Sequence, residues 1–130
     1  MNKYFVITIT IIMTFLFCSR IKAQTESENT VDVQKFIELQ NKGYTIIDVR
    51  TPEEFSDGYI EGASNIDFHS PDFGTNIEKL DKDGNYLVYC RSGNRSLKAV
   101  HLMKSLGFKN AYSLTGGINI WLSSGNPTVK

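Results

Sequence analysis

Cys90 closes a short apolar run, Tyr86 to Tyr89, and a polar loop, Arg91-Ser-Gly-Asn-Arg-Ser96, leads from it straight into a helical pattern. A thiol at the carboxyl end of a strand and facing a helix N-terminus lies among backbone N–H groups that have no intrahelical partner, at the positive end of the helix dipole. That setting favours the thiolate, which is the nucleophilic form of sulfur. The amides of Arg91, Ser92, Gly93, Asn94, Arg95 and Ser96 can converge on negative charge as an anion-binding nest. Gly93 supplies the backbone freedom to curl the loop, and Ser96 adds a hydroxyl at its closing end. The guanidinium groups of Arg91 and Arg95 would draw in an anionic substrate. The chemistry on offer is that of sulfur or of a bound anion.

A second apolar run, Tyr44 to Val49, carries Asp48 and Arg50 at its charged end. Asp48 is expected to support the site by hydrogen-bonding the loop or an arginine such as Arg95. Arg50 is expected to pair with a nearby carboxylate such as Glu54 of the neighbouring capping-box segment. His69 and Ser70 fall in an irregular stretch near the expected mouth of the site. His69 and His101 have no metal-ligand spacing, and no metal or cofactor is expected. Trp121 reads as core.

The elements that position these residues follow from patterning. Asp32 caps a helix through Val33, Phe36, Ile37 and Gln40 that stops at Gly43. Thr51, Pro52 and Glu54 start a compact helix ended by Asp57-Gly58. Ala63 to Ile66 reads as a short strand and Asp67 to Thr75 as irregular. A brief helix follows at Ile77 and Leu80, then a turn at Asp81 to Gly84. Leu97, Val100, Met103 and Leu106 mark an amphipathic helix closed by Gly107-Phe108. A strand from Ala111 to Leu114 and a last helix opened by Gly116-Gly117 complete the pattern. Strands alternating with helices predict an α/β domain, a small parallel sheet covered on both faces, with ligands bound beyond the strand carboxyl ends.

Lys3, the apolar run Phe5 to Phe17 and the polar stretch Ser19 to Ala23 have the three-part plan of a secretory signal peptide, with cleavage expected between Ala23 and Gln24. The run is short of the roughly 20 residues a membrane span needs. A lipid anchor on Cys18 is the lesser alternative, because bulky Phe17 stands where such sites want a small residue. Removing residues 1–23 leaves 107 residues with 11 basic against 14 acidic side chains, a net charge of −3. Neither a nucleic-acid footprint nor a basic membrane-binding face follows. Residues 24–30 read as a flexible leader and residues 31–130 as one domain. Cys18 departs with the signal, so Cys90 stands without a disulfide partner in a periplasmic or secreted, oxidising setting.

Five stretches in order resemble a single-domain rhodanese-like sulfurtransferase: Ile47 to Arg50, Pro52 to Phe55, Gly58 to Ala63, Val88 to Ser96, and Leu114 to Gly117 with Trp121 downstream. The resemblance spans nearly all of residues 24–130. One departure is Tyr59, where the family usually has histidine. The resemblance implies that Cys90 takes a sulfane sulfur from an anionic donor such as thiosulfate or polysulfide as a persulfide. It then passes that sulfur to cyanide, a thiol or a sulfur-accepting protein. No general base is needed, which sets His69 aside. Two other function classes stay open. One is a cysteine phosphatase or arsenate reductase, whose loops place arginine at the sixth residue after the cysteine, where this chain has Ser96 and puts Arg95 one earlier. The other is a catalytically silent binding module on the same fold.

Overall fold

The computed structural model describes residues 28–130. The expected signal peptide, its cleavage point and Cys18 lie outside the described residues. The elements are β1 (Thr30–Val31), α1 (Val33–Asn41), β2 (Thr45–Asp48), α2 (Pro52–Ser56), β3 (Ser64–Asn65), α3 (Phe73–Glu78), β4 (Asn85–Tyr89), α4 (Asn94–Ser105), β5 (Asn110–Leu114) and α5 (Gly117–Ser123). The strands form one sheet in the order β1-β5-β4-β2-β3, with every pairing parallel.

The helix starts are set by local side chains. Asp32 Oδ1 accepts the Lys35 amide at 2.8 Å to open α1. At α2, Thr51 and Glu54 exchange reciprocal bonds of 3.2 and 2.9 Å, and Pro52 takes the first position, where its missing N–H costs nothing. Side chains alternate across the sheet into two cores. Ile47, Tyr86, Val88, Cys90 and Ala111 pack with Phe73 and Ile77 of α3 and Ala99, Val100 and Met103 of α4. Ile46, Leu87, Tyr89 and Leu114 pack on the opposite side with Phe36 and Leu39 of α1 and Ile118 and Trp121 of α5. The register sets Asp48 beside Tyr89, so β2 and β4 deliver Asp48 and Cys90 to the same edge.

Several boundaries differ from the sequence reading, most by a residue or two and three with a clear physical reason or consequence. Thr30 belongs to β1 rather than to the leader, because it and Val31 pair with Ser113 and Leu114. The segment expected to be irregular up to Thr75 is helical from Phe73, where Phe73 and Ile77, four apart, bury one face of α3. The short strand is confined to Ser64–Asn65. Tyr59 stacks on Phe55 at 4.1 Å between ring centroids and exchanges backbone hydrogen bonds of 2.9 Å with Val129, closing the chain's end over this corner.

Candidate active site

Cys90 follows β4 directly and is 1% exposed. Its Sγ accepts the Gly93 amide at 3.1 Å and the Ser96 amide at 3.4 Å, and the Ser96 hydroxyl lies 3.4 Å away. Gly93 immediately precedes α4 at φ 102°, a left-handed conformation that turns the loop back over the sulfur. Burial opposes ionisation of the thiol. The Ser96 hydroxyl and the amides of Ser96, Gly93 and Ser92 outweigh it and hold the pKa below the ordinary thiol value. Of the six loop amides, those of Ser92, Gly93 and Ser96 act on the sulfur, and with the Ser96 hydroxyl they make a set of donors drawn mainly from the main chain.

The loop rests on the start of α5. The Ile118 amide donates to the Cys90 carbonyl at 2.8 Å and the Asn119 amide to the Arg91 carbonyl at 3.1 Å. Gly117 at φ 58° makes this approach possible, since a Cβ there would come within 2.4 Å of the Cys90 carbonyl oxygen and 2.6 Å of Arg91 backbone atoms. Backbone cannot rotate away as a side chain can. Gly117→Ala is expected to cost at least about 2 kcal/mol, from the left-handed backbone and the overlap together. It should also slow any reaction at Cys90. A denaturant midpoint equal to wild type would count against this account.

The charged pairs are exchanged relative to the sequence reading. Arg50 does not pair with Glu54; it binds Asp48 through Nε at 3.0 Å and Nη2 at 2.7 Å, and Nη2 also donates to the Gly58 carbonyl at 2.8 Å. Arg95 does not pair with Asp48; its Nη1 and Nη2 grip Glu54 Oε2 and Oε1 at 2.8 and 3.0 Å. The reason is local. Asp48 Oδ1 also accepts the Arg50 amide at 2.9 Å, so the chain turns tightly after β2 and returns the guanidinium to the carboxylate two residues back. Glu54, in the first turn of α2, is left facing Arg95 in the first turn of α4. Asp48 thus supports the turn and not the loop itself. Asn65 clamps the same turn through the Asp48 and Arg50 carbonyls at 3.0 and 2.9 Å.

Arg95 holds the Glu54 carboxyl well below its usual 4.5, at about 2. A depressed folded-state value makes this link stabilising above about pH 4.5 and removes it as pH falls through about 2. Wild type should therefore lose stability relative to Glu54→Gln across that window, while their difference stays constant above it. Parallel acid-unfolding curves would refute the link.

Residues 32–124 match the Rhodanese-like domain family. The chain belongs to that family. The chain is 35% identical over 95 residues to the thiosulfate sulfurtransferase GlpE of Pseudomonas entomophila, covering 72% of this chain and 84% of that one. It is 34% identical over 110 residues to a chloroplastic thiosulfate sulfurtransferase of Arabidopsis thaliana, covering 77% and 92% respectively. A rhodanese-related protein of Thermoplasma volcanium superposes with a TM-score of 0.70 at 34% identity, over 78% of this chain and 97% of that one. The class is that of a rhodanese-type enzyme.

Within this rhodanese-like domain, Arg91 is exposed and lines a cleft of about 370 Å³ with Arg50, Glu54, Asn119, Leu122 and Thr128. Of the two loop arginines it is the one without a carboxylate grip. Ser92 and Asn94 are exposed, and they serve the rhodanese loop through its backbone path. His69 is exposed and stands edge-on to Phe68, 5.8 Å between centroids. Trp121 is core, its Nε1–H satisfied by the Pro127 carbonyl at 2.9 Å. Sequence reasoning missed Ser113 on β5, whose Oγ lies 2.7 Å from Ser96 Oγ. A serine between Tyr112 and Leu114, within the apolar run Ala111 to Leu114, was the available signal.

Proposed function

We propose that this protein is an exported sulfurtransferase that carries sulfane sulfur on Cys90 from an anionic donor to a thiophilic acceptor. The observation that carries the reading is the set of main-chain amides and the Ser96 hydroxyl directed at a buried Sγ. The Cys90 thiolate attacks the outer sulfur of thiosulfate or the end of a polysulfide. A new S–S bond forms as the donor's S–S bond breaks, and sulfite, or the shortened polysulfide, leaves with the electron pair. Cyanide or a thiolate then attacks the outer sulfur, and the electron pair of the broken bond returns to Cys90. Charge gathers at the sulfur in both steps, where fixed donors are already aimed. Arg91, exposed beside the loop, would draw in the anionic donor. A sulfur-accepting protein could approach the same face.

The phosphatase alternative asks for an arginine at the sixth residue after the cysteine to bracket a tetrahedral oxyanion; Ser96 stands there, and Arg95, one residue earlier, is held by Glu54. A silent binding module would have no use for a complete sulfur cradle. Export rests on the apolar run Phe5 to Phe17 and the polar stretch to Ala23.

Exposure to thiosulfate or polysulfide should add one sulfur to the intact mass, and cyanide should remove it as thiocyanate. A wild-type mass unmoved by several sulfane donors would sink the enzyme reading. Protein recovered from outside the cytoplasm should begin at Gln24; an uncleaved chain retained inside would sink the export reading.

A further inference from the structure

We propose that Ser113 is a positioning residue that commits the Ser96 hydroxyl to the Cys90 sulfur. Its consequence for turnover rests on the sulfurtransferase reading, and its test does not. Ser113 is 1% exposed next to the carboxyl end of β5, between residues that pack apolar surface, and sulfur transfer at Cys90 makes no direct use of it. A buried hydroxyl without a partner is costly. The partner here is Ser96 Oγ, at 2.7 Å.

Ser96 Oγ has three neighbours: Cys90 Sγ at 3.4 Å, the Gly93 carbonyl at 3.2 Å and Ser113 Oγ at 2.7 Å. It has one proton to give. The carbonyl can only accept that proton, so it competes with the sulfur for it. When Ser113 donates to Ser96, its oxygen ceases to compete, a lone pair of Ser96 is satisfied, and the Ser96 O–H is polarised as a donor. A thiolate is the charged acceptor in reach and takes that proton in preference to the carbonyl. The chain Ser113 to Ser96 to Cys90 is thus a directed relay of hydrogen bonds across β5, α4 and β4. The same Ser96 proton meets the electron pair that returns to Cys90 when the acceptor removes the outer sulfur.

The test is the ionisation of Cys90 in the full chain carrying Ser113→Ala. The midpoint is read from ultraviolet thiolate absorbance against a Cys90→Ser blank. Reactivity is read as alkylation of the Cys90 peptide by mass spectrometry, so that Cys18 does not contribute. A midpoint raised by about one unit leaves about tenfold fewer thiolates at low pH. Each thiolate becomes about threefold more nucleophilic, because nucleophilicity rises with pKa. Alkylation should therefore be about threefold slower than wild type at low pH and about threefold faster at high pH, with the two profiles crossing. Ser113→Thr, which keeps the hydroxyl, should restore the wild-type profile; if it does not fold, the crossing in Ser113→Ala decides. An unmoved midpoint, or a rate loss equal at every pH, would overturn the proposal. A shifted midpoint in a protein that takes no sulfur from thiosulfate would support it and overturn the sulfurtransferase reading alone.

Discussion

Cys90→Ser is expected to abolish both sulfur uptake from thiosulfate and thiocyanate formation while leaving the fold in place. A serine hydroxyl has no accessible anion near neutral pH and forms no persulfide, so neither half of the reaction has a carrier. Its oxygen can accept the same amides of Gly93 and Ser96 that now meet the sulfur. The Ile118 and Asn119 amides still hold the Cys90 and Arg91 carbonyls. Thermal unfolding should consequently stay within about 5 °C of wild type, the equivalent of about 1 kcal/mol for a domain of this size. Loss of activity together with collapse of the fold would make the result uninformative about chemistry, so both are measured on one preparation. Residual thiocyanate formation in a folded Cys90→Ser protein would relocate the sulfur carrier away from this loop.

Asp48→Ala should be among the most destabilising single changes in the domain. Asp48 is fully buried, and the Arg50 side chain is 7% exposed. Removing the carboxylate strands a buried guanidinium whose remaining partners are the Gly58 carbonyl and the Tyr89 ring, 5.6 Å away. Breaking such a pair costs about 3–5 kcal/mol, because the surviving charge keeps its desolvation penalty. For a domain of about 100 residues this lowers Tm on the order of 15–30 °C. Replacing both partners with apolar residues, Asp48→Leu with Arg50→Met, should cost less than Asp48→Ala alone. Asp48 makes no contact with Sγ, so whatever fraction of Asp48→Ala remains folded should still load sulfur. A stable Asp48→Ala protein with lost activity would instead give Asp48 a direct part in the chemistry.

Much of this was legible along the chain because its determinants are local. Asp32, Thr51, Pro52 and Glu54 act on amides within three residues, and α1 and α2 start where those residues predict. The loop around Cys90 is also local: Cys90 to Gly93 join β4 to α4, whose first turn carries Ser96, and Gly93 and Ser96 both reach the sulfur from within six residues of it. The charged pairs were not legible. Glu54 and Arg95 are 41 residues apart, and their meeting depends on how the tertiary fold brings the first turns of α2 and α4 together. Nothing in the spacing of four charged residues distinguishes that pairing from its exchange. The helical start at Phe73 escaped notice because Gly74, Thr75 and Asn76 dilute a pattern carried by Phe73 and Ile77 alone. Gly117 was read as a helix opener. Its closer duty, letting a carbonyl approach within a side chain's reach, exists only once β4 and β5 lie side by side.

The sulfur is held chiefly by main-chain amides, and that separates two properties usually entangled in a reactive site. Side chains at Ser92 and Asn94 point outward and take no part in ionising Cys90. A combinatorial library at positions 92 and 94 could re-address which acceptor is served while the reactivity of the nucleophile stays constant. Arg91 is the remaining outward side chain before the loop turns inward, and it is where charge preference could be retuned. The domain is in this sense a modular head, with its recognition surface exchangeable over a fixed electrophile-loading core.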